Sequence, residues 1–409
     1  MLKAYKYKLA PNEEQKILLN KHFGCVRFIY NYFLNKRNEE YKDNKITISY
    51  YDNCADLTKL KTLEETNWLK EVNSQSLQHS LKHLDVAYGN FFKGKSKFPI
   101  FKSKNNKNSF TVPQKVRIKN KKLYIPKFND GIDVILHRKY TGNIKQCTIS
   151  KTCTKEYFVS ILVETIHTKL EKTNKSIGID LGLKHLAITS DGYKYKNNKY
   201  TKQYAKKLKK AQQHLSHKIV GSNRFNKQKL KVGLIHKKIT NSRKDNLHKV
   251  STELITKYDT IFIENLNIKG MSARCKSKQD KEGNTIPSGQ SKKSALNRSI
   301  LDASWGMYID MLKYKADWND KQIVEIDRFY PSSKACNCCG YINQNLRLNI
   351  RSWQCPKCHV IHDRDINAAK NIYNEGLKKL SSGTDDYKHR DQIRPINIGT
   401  VDEVFKILN

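Results

Sequence analysis

Apolar positions along the first ninety residues change period once, and that change marks the first two elements. Residues 1–9 (MLKAYKYKL) alternate, which predicts a strand. Asn12 then predicts a helix N-cap, with Gln15 three residues on completing a capping box. Behind it Ile17, Leu18, Phe23, Val26, Ile29, Tyr30 and Phe33 recur at helical spacing to about Tyr41. Leu57, Leu60 and Leu63, then Leu77, Leu81 and Leu84, predict further helices within 50–92. Residues 11–92 therefore read as a small helical domain. From Lys93 the texture turns basic and aromatic (GKSKFPIFKSKNNKNSFTVP), which predicts a loop. Short strands follow at 116–125, 132–137, 144–150 and 157–164, with turn chemistry at Asn120, Asn129-Asp130-Gly131 and Gly142-Asn143. That spacing predicts a small barrel or sandwich.

After Thr173 the pattern changes again. SIGIDLGLKHLAITSDGYKY predicts three strands, the last two joined at Asp191-Gly192. On the first, Ile177, Ile179 and Leu181 share one face, and Gly178, Asp180 and Gly182 the other. A carboxylate flanked by glycines is open to close approach by a metal or a phosphate. Residues 201–257 predict two helices broken near Gly221-Ser222, with Leu208, Leu215, Ile219, Leu230, Leu234, Ile235, Ile239 and Leu247 as the apolar stripe. YDTIFIENL predicts a buried strand ending in Glu264, a carboxylate costly to bury unless paired or metal-bound. Residues 270–293 are rich in Gly, Ser and Lys and predict a mobile loop. A helix over 297–316 and a strand in IVEIDRFYP, ended by Pro331, follow. Beyond Gly376 the chain is polar and predicts disorder, apart from a turn at 401–408.

Charge changes the picture more than length does. The 409 residues allow two or three domains, but 78 Lys and Arg against 38 Asp and Glu give +40. An AT-rich genome would account for much Lys, Asn, Ile and Tyr, but not for a twofold excess of cations. That excess implies a polyanionic partner, nucleic acid. There is no apolar run of about 18 residues for a membrane span. The start carries no apolar leader either, so a cytoplasmic protein is expected. Candidate phosphate contacts are Lys102 and Lys104 in the basic loop, and Lys207, Lys210, Lys231, Lys237, Arg243 and Lys244 on the basic helices. A solvated face is the plain alternative, yet such a density of one sign repels itself without a counter-charge.

Ten cysteines in a chain without a leader point to metal or free thiols. SKACNCCG and CPKCHVIHDRDINAAKNI hold two C-x2-C pairs, the spacing of a structural zinc site. CNCC offers three thiols for two places. Cys336 and Cys339 are the chosen pair because Gly340 then follows as a knuckle turn wants, and Cys355 and Cys358 complete the set. Cys338 is left over. His359 stands where a second knuckle often has glycine, and with His362 it is expected to face solvent, although either could substitute as a ligand. Seven residues past the last cysteine, Asp365 meets a helix start, where Asp363 or Asp365 taken alone would be a cap.

Strand hairpins, a helix, a strand ending in Glu264 and a late helix opening with Asp365 follow the order of an RNase H-like fold. Such a site holds two Mg2+ (or Mn2+) about 4 Å apart, one activating water and one stabilising the leaving oxygen of a phosphodiester. GIDLGLK, the basic helical pair, IENL, YPSSK-x-C, CPKC and DRDINAAKNI, with KAYKYKLAPNEEQ and FPIFKSKNNKNSF before them, together resemble the TnpB family over roughly residues 1–375. These are insertion-sequence-encoded, RNA-guided DNA nucleases related to type V CRISPR effectors. The resemblance implies a multidomain α+β chain with an RNase H-like (RuvC) α/β nuclease domain, an inserted zinc ribbon, an N-terminal helical lobe and a small wedge β-barrel. The implied boundaries are 1–10 and 93–170 for the wedge, 11–92 for the recognition lobe and 171–330 for the nuclease domain. The ribbon then takes 331–361, the last nuclease helix 362–376 and the tail 377–409. It makes Asp180, Glu264 and Asp365 a Mg2+-binding catalytic triad and Cys336, Cys339, Cys355 and Cys358 the Zn2+ ligands. Guide RNA and double-stranded DNA are the implied partners of a monomeric chain. The extra Cys338 and the 270–293 loop, a possible lid, depart from the family pattern. The alternatives are a catalytically silent RNA-guided repressor, a DDE-like transposase joining DNA ends, and a zinc-dependent RNA-binding accessory.

Overall fold

A computed structural model describes residues 1–383, except 106–107, 276–277, 281–282, 287 and 348. The tail reading beyond 383, including the turn at 401–408, lies outside the described residues. Among those described, no helix is long and apolar enough to cross a membrane. Two units emerge, meeting in sequence at His167 and Thr168.

The first unit begins with strand β1 (Leu2–Ala10) and helix α1 (Glu13–Asn44). The Asn12/Gln15 capping box forms as expected. Helices α2 (Tyr50–Leu60) and α3 (Ser74–Phe92) follow. The helical stripes bury Leu19, Phe23, Phe33, Leu57, Leu77 and Leu81, whereas Ile17 and Leu63 stay exposed. Strands β2 (Asn108–Val112), β3 (Arg117–Lys119), β4 (Lys122–Ile125), β5 (Phe128–Ile135), β6 (Asn143–Lys151) and β7 (Tyr157–Glu164) join β1 in an antiparallel sheet. Its order is β2-β6-β7-β1-β5-β4-β3.

Two local readings need correction. The basic stretch thought to be all loop ends in β2, whose Phe110 and Val112 are buried. Asn129-Asp130-Gly131 is not a turn but part of β5; the turn falls at Pro126-Lys127, where Lys127 has φ 74°. Gly131 has a positive φ of 70°, and its carbonyl accepts from Gln15 Nε2 at 2.9 Å, on the capping-box glutamine.

The second unit is built on strands β8 (Ser176–Asp180), β9 (His185–Thr189), β10 (Lys194–Lys196), β11 (Thr260–Glu264) and β14 (Gln322–Ile326). Their order is β10-β9-β8-β11-β14, antiparallel on the hairpin side and parallel from β8 through β11 to β14. Helices α4 (Tyr200–Ser216) and α5 (Asn223–Lys257) break at Gly221-Ser222, with Ser222 capping α5. The apolar stripe is only half used: Ile235, Ile239 and Leu247 are buried, but α4 buries nothing and Ile219 is exposed.

The 270–293 segment is not one loop. It holds the end of short helix α6 (Ile268–Met271), the paired strands β12 (Lys278–Gln279) and β13 (Thr285–Ile286), and the start of α7 (Gln290–Ala303). The expected single helix over 297–316 is α7 followed by α8 (Trp305–Trp318), parted at Ser304, which adopts left-handed φ 55°. Strands β15 (Ser352–Gln354) and β16 (Ile361–Asp363) pair in the cysteine ribbon, and α9 (Arg364–Ser381) follows, running past the expected end at Gly376.

Gly178 and Gly376 explain how α9 reaches the sheet. A Cβ on Gly178 would stand 2.4 Å from the Ala369 carbonyl oxygen, and one on Gly376 2.1 Å from Phe262 Cδ1. Gly178 is therefore bare to admit the helix, not, as the sequence suggested, to admit a ligand beside Asp180. Overpacking of this kind costs about 1–3 kcal/mol. Gly178→Val is expected to push α9 off β8, lowering the melting temperature in differential scanning calorimetry and cleavage in the assay described below.

Candidate active site and metal centre

Asp180 and Glu264 end adjacent parallel strands. Ile179 of β8 stands opposite Ile263 of β11, so the next position along each strand presents a carboxylate at the same sheet edge. Helix α9 supplies the third. Asp363 is its cap, accepting from the amides of Asp365 and Ile366 at 3.0 and 3.1 Å, and Lys194 Nζ holds its other oxygen at 2.6 Å. Capping thus falls to Asp363, and Asp365, in the first turn, is released for the site.

Asp180 feels both other carboxylates. Burial, then the Asp365 and Glu264 carboxylates, push Asp180 up to about 7, with Arg364 offsetting part of this. Burial also raises Glu264. Arg351 Nη1 reaches Asp365 at 2.8 Å, a contact across fourteen residues of ribbon with no signal in the sequence. Hard oxygen donors of this kind are what Mg2+ and Mn2+ take as ligands. Among the described residues, no set of three that includes these carboxylates closes to within 4.8 Å.

The shift fixes a sign. A carboxyl titrating near 7 when folded and at about 3.9 unfolded favours the metal-free fold below pH 4. That favour is lost as pH rises through 7. In EDTA, Asp180→Asn is therefore expected to raise the melting temperature at pH 8 and not at pH 4. Adding Mg2+ at pH 8 should stabilise the wild type and leave the variant unmoved.

The ribbon is the second centre. The sulfurs of Cys336, Cys339, Cys355 and Cys358 lie within 4.8 Å of one another, with Cys336–Cys358 at 3.5 Å and Cys339–Cys355 at 3.6 Å. Zn–S bonds of about 2.3 Å place tetrahedral sulfurs about 3.8 Å apart, so the four thiols fit Zn2+. Both knuckles close by amide bonds of 2.9 Å, Gly340 to the Cys336 carbonyl and His359 to that of Cys355. Gly340 and His359 both have positive φ, so His359 occupies the glycine-like position as expected. Burial pushes the Cys355 thiol up, but the amides of Cys358 and Lys357 more than reverse this, to about 6. His362 does not face solvent: it is buried against Trp353, its partner across β15 and β16. Asn367 and Asn371 then clasp the ribbon to α9 through the Ala335 carbonyl at 2.7 and 2.6 Å.

The candidate phosphate contacts divide. Lys104, Lys207, Lys210 and Lys231 are exposed, and Lys237 and Lys244 half-exposed. Lys102 is not a free cation: its Nζ sits 3.5 Å over the Tyr30 ring, and burial lowers it to about 8. Arg243 is bonded to Asp302 at 2.9 Å and to Thr201 at 3.0 Å.

Three family models match. Residues 158–274 match the IS605-type OrfB model described as "Probable transposase", and 305–372 match "Cas12f1-like, TNB domain". Residues 1–45 match "Helix-turn-helix domain", although here they form one strand and one 32-residue helix. The "Putative RNA-guided DNA endonuclease" of Streptomyces pristinaespiralis is 35% identical over 397 residues, covering 96% of this chain and 92% of that protein. The chain belongs to the TnpB family. A second TnpB relative, "Putative RNA-guided DNA endonuclease InsQ" of Escherichia coli K12, is 33% identical over 93% of this chain and 94% of its own length. Asp180 and Glu264 fall within the first matched segment, the four cysteines and Asp365 within the second. The solved "Structure of the mini-RNA-guided endonuclease CRISPR-Cas_phi3" superimposes at TM-score 0.47 with 11% identity over 92% of each chain, too loosely to argue from.

Proposed function

We propose that this TnpB-family chain is an RNA-guided DNA endonuclease of a transposable element. It hydrolyses phosphodiester bonds at Asp180, Glu264 and Asp365 beside a short motif adjoining the guide-matched target. The observation that carries the reading is the convergence of Asp180 and Glu264 at one edge of the sheet, with Asp365 of α9 acting on Asp180. The names borne by both relatives support it. A sheet antiparallel over three strands and parallel over the next two supports an RNase H-like (RuvC) nuclease domain. In this reading the sheet of residues 1–167 is the wedge barrel and helices α1 to α3 the recognition lobe.

Two Mg2+ ions, when bound, would supply a hydroxide nucleophile and neutralise the leaving 3′ oxygen. Asp180, Glu264 and Asp365, when ionised, would hold them. Asp363 keeps Asp365 out of the cap, and the Gly178 contact sets the helix against β8. The exposed lysines of α4 and α5 neutralise phosphates without reading sequence, which base pairing to the guide supplies. A monomer carries all of these parts.

The test is protein co-expressed with its flanking locus and mixed with plasmids bearing a guide-matched target beside a randomised motif. Linear products with free ends, absent with a scrambled target, are expected. Joined ends would mean strand transfer by a transposase, and binding without cutting in Mg2+ or Mn2+ a silent repressor.

A further inference from the structure

The ribbon carries more metal-ligating atoms than one zinc ion uses. Cys336 Sγ belongs to two sets of ligand atoms, each lying mutually within 4.8 Å: the four thiols already described, and Cys336 with Cys338 and His362. The four-thiol set extends to neither Cys338 nor His362. A tetrahedral zinc with four thiolates is closed, so it has no position for either.

His362 is the more telling of the two. Its residue exposure is 9%, and its Nε2 stands 3.1 Å from Cys336 Sγ. The ring is held by stacking on Trp353, with centroids 5.1 Å apart, and by the β15–β16 register. Cys338 is exposed and its sulfur lies within 4.8 Å of the same Cys336 sulfur, on the knuckle that Gly340 closes. A buried imidazole, an exposed thiol and a shared thiolate are soft and borderline donors of the kind that select Zn2+ and its heavier congeners over Mg2+. Thiolate sulfur has lone pairs enough to bridge two such ions. A four-thiolate zinc is also left with net negative charge in a half-buried ribbon, which a second cation would offset.

We propose that the ribbon binds a second thiophilic divalent ion, held by Cys338, His362 and a bridging Cys336 with its fourth position open to water. The site is independent of the carboxylate centre and of the nuclease reading. It makes the surplus cysteine of CNCC a ligand. It also gives the ribbon one closed position and one exchangeable position.

The full-length chain is tested in an Asp180→Ala, Asp365→Ala background, so that the carboxylates do not add to the count. Native mass spectrometry of protein equilibrated with zinc is expected to show two ions per chain, falling to one in Cys338→Ser. X-ray absorption at the zinc edge should show a zinc–zinc shell and nitrogen among the neighbours, both lost in Cys338→Ser. Because Cys338 is exposed, that variant should keep its fold, which an unchanged circular dichroism spectrum checks. One zinc per chain in both proteins, with sulfur-only coordination, would overturn the proposal. A zinc bound by three sulfurs and one nitrogen, with no metal–metal shell, would overturn it too, since His362 would then be a ligand of a single ion.

Discussion

Asp180→Ala is expected to lower guide-directed cleavage by more than about 100-fold, since loss of a group merely supporting a metal ligand already costs about 10–100-fold. Guide and target binding should stay within about threefold of wild type, because binding rests on distributed phosphate contacts and base pairing. Asp180 and Glu264 end neighbouring parallel strands, and Asp180 is the acid whose titration responds to both other carboxylates, so its loss is expected to disturb the site most. Glu264→Ala and Asp365→Ala should each cost cleavage on the same scale. The double variants should cost little more, as expected of residues that act as a unit. Single-turnover rates on a labelled target, with filter binding on the same samples, separate the two quantities. A variant that loses binding and cleavage in parallel would assign Asp180 to folding.

The second large effect concerns zinc. The ribbon's apolar core among described residues is Leu346 and Trp353 beside the ligand cysteines, too little to fold a segment of this size unaided. Structural zinc supplies about 10 kcal/mol or more to such small domains. Cys355→Ser, which removes a fully buried ligand, is therefore expected to unfold the ribbon. The consequence reaches the active site because α9 is anchored in the ribbon. Asn367 and Asn371 bond to Ala335, Arg364 to the Arg347 carbonyl at 3.0 Å, and Arg351 to Asp365. Hydrogen exchange should rise across 331–371 and stay unchanged across the sheet of residues 108–164. Cleavage should fall as far as in Asp180→Ala. Exchange that rises evenly over the whole chain would contradict the local coupling described here.

Much of this was legible because the signals are local. The Asn12/Gln15 box, the Asp191-Gly192 turn and the C-x2-C knuckles each set a backbone conformation within a few residues. The strand faces around Asp180 follow from alternation alone. The misreadings arose where a distant partner decides. Gly131 is glycine because its φ is +70° and a Cβ there would meet Lys122 and Tyr124 of β4 at 3.0 Å. Gly178 is glycine because a helix nearly two hundred residues later lies on it. His362 is buried by pairing with Trp353, and the Asp302 partner of Arg243 lies 59 residues away in sequence. Strand β2 was hidden by the Lys and Asn residues before it, which drowned the apolar pair Phe110 and Val112. Asp365 was legible as an acid at a helix start. Its freedom from capping became visible only with Asp363 in place.

The most direct measurement is anomalous diffraction at the manganese edge from crystals of the guide-bound protein soaked in Mn2+. Two peaks about 4 Å apart, held by the carboxylates of Asp180, Glu264 and Asp365, are the expected result. No manganese at the three carboxylates, in crystals whose dissolved protein still cuts guide-matched DNA, would contradict the account.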